Sequence, residues 1–236
     1  MDDGLLTGIA GRLLPAAHDV TLGASELSVV LLLALAAVAI DPLWRVLRVG
    51  ITLVHELGHA GVGVLVGRQF TGFVVRGDMS GHAVTRGPAR GPGQVASTWA
   101  GYPAPAVVGA VLTRLAGTGW AGPGLAVILV GLLIALVRVR SALTAIVVLV
   151  ALGATFALWW WADDTVRAQV LVGVGIVLVV GAWRHLGAVL RGGRSSDPGV
   201  LAHLTGVPTL VWTASFALVC GLASWVVVAT LGEAWS

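Results

Sequence analysis

Long apolar runs separated by short polar joints make up most of the chain. Residues 27–40, extended by 21–25, reach the roughly 20 residues a membrane-spanning helix needs, and Asp41-Pro42 stops the run. A second run, residues 51–67, follows the flank of Trp44, Arg45 and Arg48. Later runs predict spans over residues 97–112, 124–137, 143–161, 170–183 and 209–230. Pro103 and Pro105 break the third span and the fourth is short, so both fit tilted or partly re-entrant segments. Between the second and third spans the pattern changes: residues 70–76 and 82–86 are short β-prone runs around the turn residues Gly77, Asp78, Ser80 and Gly81. They predict a hairpin, and the GPARGPG that follows is a loop. The pattern describes an all-α polytopic membrane protein of six to seven transmembrane helices, a single domain over residues 1–236, with a small β-hairpin after the second helix.

Three polar side chains interrupt the second run, ITLVHELGHAGVGVLVG: His55, Glu56 and His59. Residues four apart lie on one helix face, so both imidazoles can point at one zinc ion with Glu56 beside it as a base. A polar side chain at mid-bilayer costs a few kcal/mol, and three in five residues require a partner, which a bound cation supplies. The bland alternative is a polar cluster that hydrogen-bonds neighbouring helices. On the same stripe, Arg48 and Thr52 precede His55, while Gly63 and Gly67 continue it with no side chain and admit another segment.

A catalytic zinc site has three protein ligands. The segment RGGRSSDPGVLAHLTGVP, residues 191–208, offers Asp197, with His203, His185, His82 and Asp78 as competitors. Gly192-Gly193 would let it fold back towards the core. Ser196-Asp197-Pro198 is also a helix cap with Pro at the first position, opening a short helix to Thr205.

Composition narrows the class. With 57% hydrophobic and 11% charged residues and a mean hydropathy of +0.95, no soluble domain is visible. The formal charge of +3 comes from arginines alone at span ends, not from a nucleic-acid patch. Cys220 has no partner, which excludes disulfides and multi-thiolate sites within the chain. Residues 1–25 lack the basic start of a cleaved signal peptide. With seven spans, arginine placement favours a cytoplasmic N-terminus: Arg12 inside, Arg45, Arg48, Arg114 and Arg167 outside, and Trp159, Trp160, Trp161, Asp163 and Asp164 forming an outer aromatic belt and acidic loop. The motif then lies about 15 Å above the cytoplasmic end of its helix, near mid-bilayer.

HELGH on an early span, a hairpin-like loop, AGYP opening the next span and a late SSDPGVLAHLTGVP resemble the site-2 protease family of intramembrane zinc metallopeptidases, particularly its small bacterial branch. The resemblance covers residues 43–108 and 191–212. It implies one Zn2+ per chain held by His55, His59 and Asp197, with Glu56 as the catalytic base. Many members carry Gly after the distal aspartate and an Asn in the span after the hairpin. Here Pro198 follows Asp197 and the chain has no Asn, which leaves Tyr102 as a substitute substrate-positioning group.

The activity implied is hydrolysis of peptide bonds in or near transmembrane helices of membrane-protein substrates, in a bacterial cell membrane. An extended substrate could add to the hairpin's open edge. The alternatives are a non-catalytic zinc-binding scaffold, which needs no Glu56, and a transporter, for which Thr213, Ser215 and Ser224 are too mild to trace a polar path.

Overall fold

The computed structural model describes residues 3–17, 20–76, 80–189 and 196–235. Its elements are α1 (Asp3–Leu13), α2 (Ala24–Ala39), α3 (Asp41–Leu65), β1 (Gln69–Val75), β2 (Gly81–Arg86), α4 (Pro92–Trp99), α5 (Pro103–Gly117), α6 (Ala121–Leu136), α7 (Ala142–Trp161), α8 (Asp164–Val189), α9 (Asp197–Thr205) and α10 (Thr209–Trp235). The expected hairpin is present as an antiparallel pair. Of its expected turn residues, Gly77 and Asp78 lie outside the described residues.

Packing is centred on α8. More than half of its apolar stretch is buried in protein, against 17% for α7, which presents most of its surface outward. α5 lies along α8 where Gly109 faces Gly175, two positions at which a Cβ would overlap the opposing backbone. Small residues let the helices meet at backbone distance, as membrane helices do in place of hydrophobic drive. α2 runs beside α8 in the same direction, from Val30 against Gly173 to Val38, whose carbonyl accepts from Arg184 Nη1 at 3.0 Å.

The chain then turns by 94° between α2 and α3, at Ile40 in extended conformation with Pro42 in the first turn of α3. α3 begins ten residues before the expected span and crosses the bundle instead of running along it. Trp44, Ile51 and His55, spread over three turns of α3, all meet α8 within residues 181–185. A second bend of 61° separates α4 from α5 at Ala100-Gly101-Tyr102, where Pro103 opens the new helix.

Two expectations change. Among the described residues, α7, α8 and α10 are long and apolar enough to cross a membrane, or five spans if each bent pair counts as one, with α6 a further, shorter apolar helix, against the six to seven expected. The expected placement of Arg12 and the aromatic belt on opposite faces also changes. Arg12 donates to the Trp160 carbonyl at 2.8 Å and lies 4.6 Å over its ring, so α1 and the aromatic belt share one end of the molecule. Arg184 lies 4.0 Å over Trp44, so the α2–α3 elbow shares the other end with the C-terminus of α8, the hairpin and α9. The physical cause is α3: a helix laid across the bundle does not carry the chain back to its starting end.

Candidate metal centre

The centre is built where α3, the α4–α5 bend and α9 converge. His55 Nε2 and His59 Nε2 lie 3.0 Å apart, and Asp197 Oδ2 lies 3.4 Å from the first and 3.2 Å from the second. Ligands about 2.0–2.2 Å from a tetrahedral zinc are separated by roughly 3.3–3.6 Å, so this triangle is close to one face of such a site. Asp197 Oδ2 is buried and, beyond the two imidazoles, has no hydrogen-bond partner. A cation among the three atoms satisfies all of them, and the donor set of two imidazoles and a carboxylate suits zinc.

Each donor is positioned by its own local structure. One turn of α3 separates the histidines. The Ser97 carbonyl, 2.7 Å from His59 Nδ1, can only accept, so Nδ1 carries the proton and the neutral ring turns its lone pair at Nε2 towards the centre. Ser97 Oγ donates to the His59 carbonyl at 2.9 Å, so α3 and α4 are pinned twice at one point. Asp197 is the first residue of α9, after the N-cap Ser196, with Pro198 one position later than the expected first. The fully buried Leu201 fixes α9 against the equally buried Phe216 of α10, which directs the start of α9 at the histidines.

The walls are close. A Cβ at Gly101 would overlap the rings of both His59 and His55, so this position of AGYP admits only glycine without displacing the ligands. Tyr102 meets His55 edge-on at 4.9 Å and stacks on Phe216 at 5.2 Å. Gly63 does admit another segment, lying against Ser97 and Thr85, whereas Gly67 faces open space and turns the chain at φ 82°.

Glu56 is 4% exposed and faces β2. Phe73 of β1 bonds outward to Arg138 and Arg140, so Ala83, its partner in β2, turns its own amide away from β1. That amide donates to the Glu56 carboxylate, and the Cα of Gly81 packs on the same group. The open edge of the hairpin is therefore β2, and it faces Glu56.

Of the competing ligands, His82 and His203 are exposed, Asp78 lies outside the described residues, and His185 stands 6.3 Å from His55 between ring centres, beyond the cluster. The hinge pair Gly192-Gly193 also lies outside the described residues. His55 meets α8 at His185, in the C-terminal part of that helix. Ser97, Gly101, Gly81 and Ala83 escape a reading of the sequence. Ser97 and Ala83 act through backbone atoms, Ser97 also through its hydroxyl, and the two glycines through a missing side chain; the sequence marked Gly101 only as part of AGYP and Gly81 only as a turn residue.

No curated protein and no solved structure matches the chain. The family profile described as Peptidase M50B-like matches residues 28–227, a stretch that contains the two histidines, the buried glutamate and the distal aspartate just described. On that match the chain belongs to the Peptidase M50B-like family and is a member of the site-2 protease family of membrane metallopeptidases.

Proposed function

We propose that the protein is an intramembrane zinc metalloprotease that cuts peptide bonds in or near transmembrane segments of membrane-protein substrates. One observation carries the reading: the nitrogens of His55 and His59 converge with Asp197 Oδ2, 138 residues further along the chain, with a buried glutamate next in sequence to the first of them. Zinc bound there would lower the pKa of water and polarise a carbonyl. Glu56 is the base: its carboxylate takes a proton from the attacking water and returns it to the leaving amine. Tyr102, held between His55 and Phe216, lines the approach and orients the substrate.

The substrate must arrive extended, because a helical peptide bond is shielded by its own hydrogen bonds. The edge of β2 offers a template for that strand, and loading it requires the hairpin to yield Glu56. The membrane orientation belongs to the same proposal. Arg45, Arg48, Arg68, Arg76, Arg86, Arg90, Arg138, Arg140 and Arg184 occur at the end that holds the site, and Arg12, Arg114 and Arg167 at the other. The positive-inside rule then directs the site end to the cytoplasm of a bacterial cell and the N-terminus to the opposite face.

In a non-catalytic zinc-binding scaffold the contact of Glu56 with β2 would be a packing contact only, with no role for the carboxylate charge. Glu56→Gln separates the two readings. In a protease it keeps zinc and lowers cleavage of a transmembrane reporter by about 100-fold or more; in a scaffold it leaves every measured property unchanged.

A further inference from the structure

The two histidines of the centre are held unequally. His59 gives its Nδ1–H to Ser97, whereas His55 Nδ1 is buried and has no hydrogen-bond partner. A metal-ligating histidine almost always donates its second ring N–H to an acceptor, which fixes both the tautomer and the orientation of the ring. The polar ring facing His55 from α8 is His185, half-buried, 6.3 Å away between centres and inclined at 72°. Ile51 packs onto Gly181 one turn before these residues on both helices, so the approach of α3 to α8 that brings the rings together is fixed by packing.

The distance identifies the kind of contact. Two imidazoles joined by a direct N–H···N bond stand roughly 5 Å apart between centres, and one bridging water spreads them to roughly 6.5–7 Å. The observed separation falls between the two, within reach of a small ring rotation or a single water. His185 does not join the ligand cluster itself, whose atoms all lie within 4.8 Å of one another. A neutral imidazole has one acceptor nitrogen, which is what His55 Nδ1–H lacks.

We propose that His185 is a positioning residue. It accepts the Nδ1 proton of His55, directly or through one water, and so turns His55 Nε2 to the metal, doing from α8 what the Ser97 carbonyl does from α4. The inference rests on the zinc reading above.

The test is zinc affinity of the purified full chain in detergent, measured by competition with a chromogenic chelator, for wild type, His185→Ala, His185→Leu, His185→Gln and His59→Ala. His185→Leu keeps bulk at the position, and thermal unfolding in excess chelator checks that each variant folds. The expected result is affinity 10- to 100-fold weaker in His185→Ala and His185→Leu, recovery to within about threefold in His185→Gln, whose amide oxygen is an acceptor, and a larger loss in His59→Ala. Wild-type affinity in His185→Ala and His185→Leu would overturn the proposal. So would a His185→Gln as weak as His59→Ala, since the ring would then be a ligand. Wild type without zinc would sink the metal reading itself, and the positioning role with it.

Discussion

The two ends of the bundle treat polar groups in opposite ways. At the end that holds the aromatic belt, polar groups close on one another: Arg12 on the Trp160 carbonyl, Arg167 on Asp164 and the Trp159 carbonyl at 2.7 and 2.9 Å, Arg114 on Glu233 at 2.6 Å. At the other end, two nitrogens and a carboxylate oxygen are crowded to 3.0–3.4 Å with no protein donor between them. The first arrangement pairs its guanidinium groups within the protein and finishes helix ends, leaving Arg167 Nε and Trp159 Nε1 as isolated unpaired atoms that do not converge. The second costs desolvation that the protein alone does not repay. Polar burial marks a site only where the groups converge unpaired.

That contrast can be broken from either side. The largest effect is expected at Gly101. Gly101→Ala puts a methyl into both imidazoles and should weaken zinc binding at least 10-fold while cleavage falls with it, read by chelator competition and reporter cleavage. At the opposite end Arg167→Ala removes a buried guanidinium and leaves the Trp159 carbonyl short of a donor. It should cost about 1–3 kcal/mol of stability in a denaturation series and leave zinc content unchanged. The smallest effect belongs to Arg114→Ala, whose pair with Glu233 has both side chains more than half exposed. At most about 1 kcal/mol is expected, with unchanged cleavage. A loss of zinc in either arginine variant would show that the two ends are coupled and would erase the distinction.

Much of the site was legible because its chemistry is local. His55, Glu56 and His59 follow from helical spacing alone, and Asp197 stood out among few candidates because acidic residues are scarce in this chain. The hairpin was legible from turn residues between β-prone runs. The span count was not, because a helix buried in protein and a helix buried in lipid have the same apolar composition. Residues 51–67 read as a span although α3 lies across the bundle. Asp41-Pro42 announces a break but not an angle of 94°. The shared end of α1 and the aromatic belt was missed because of that one helix, since a helix laid across the bundle does not return the chain to its starting end. The support of His59 by Ser97 and of Glu56 by Ala83 stayed hidden because backbone groups are the same at every residue.

The most direct test of the central claim is zinc per chain in purified wild type and in Asp197→Ala, measured by elemental analysis after exposure to a weak chelator. One zinc per wild-type chain and loss of most of it in Asp197→Ala is the expected result. Wild type without zinc, or an Asp197→Ala variant that holds it as firmly as wild type, would contradict the convergence of α3 and α9 on one metal.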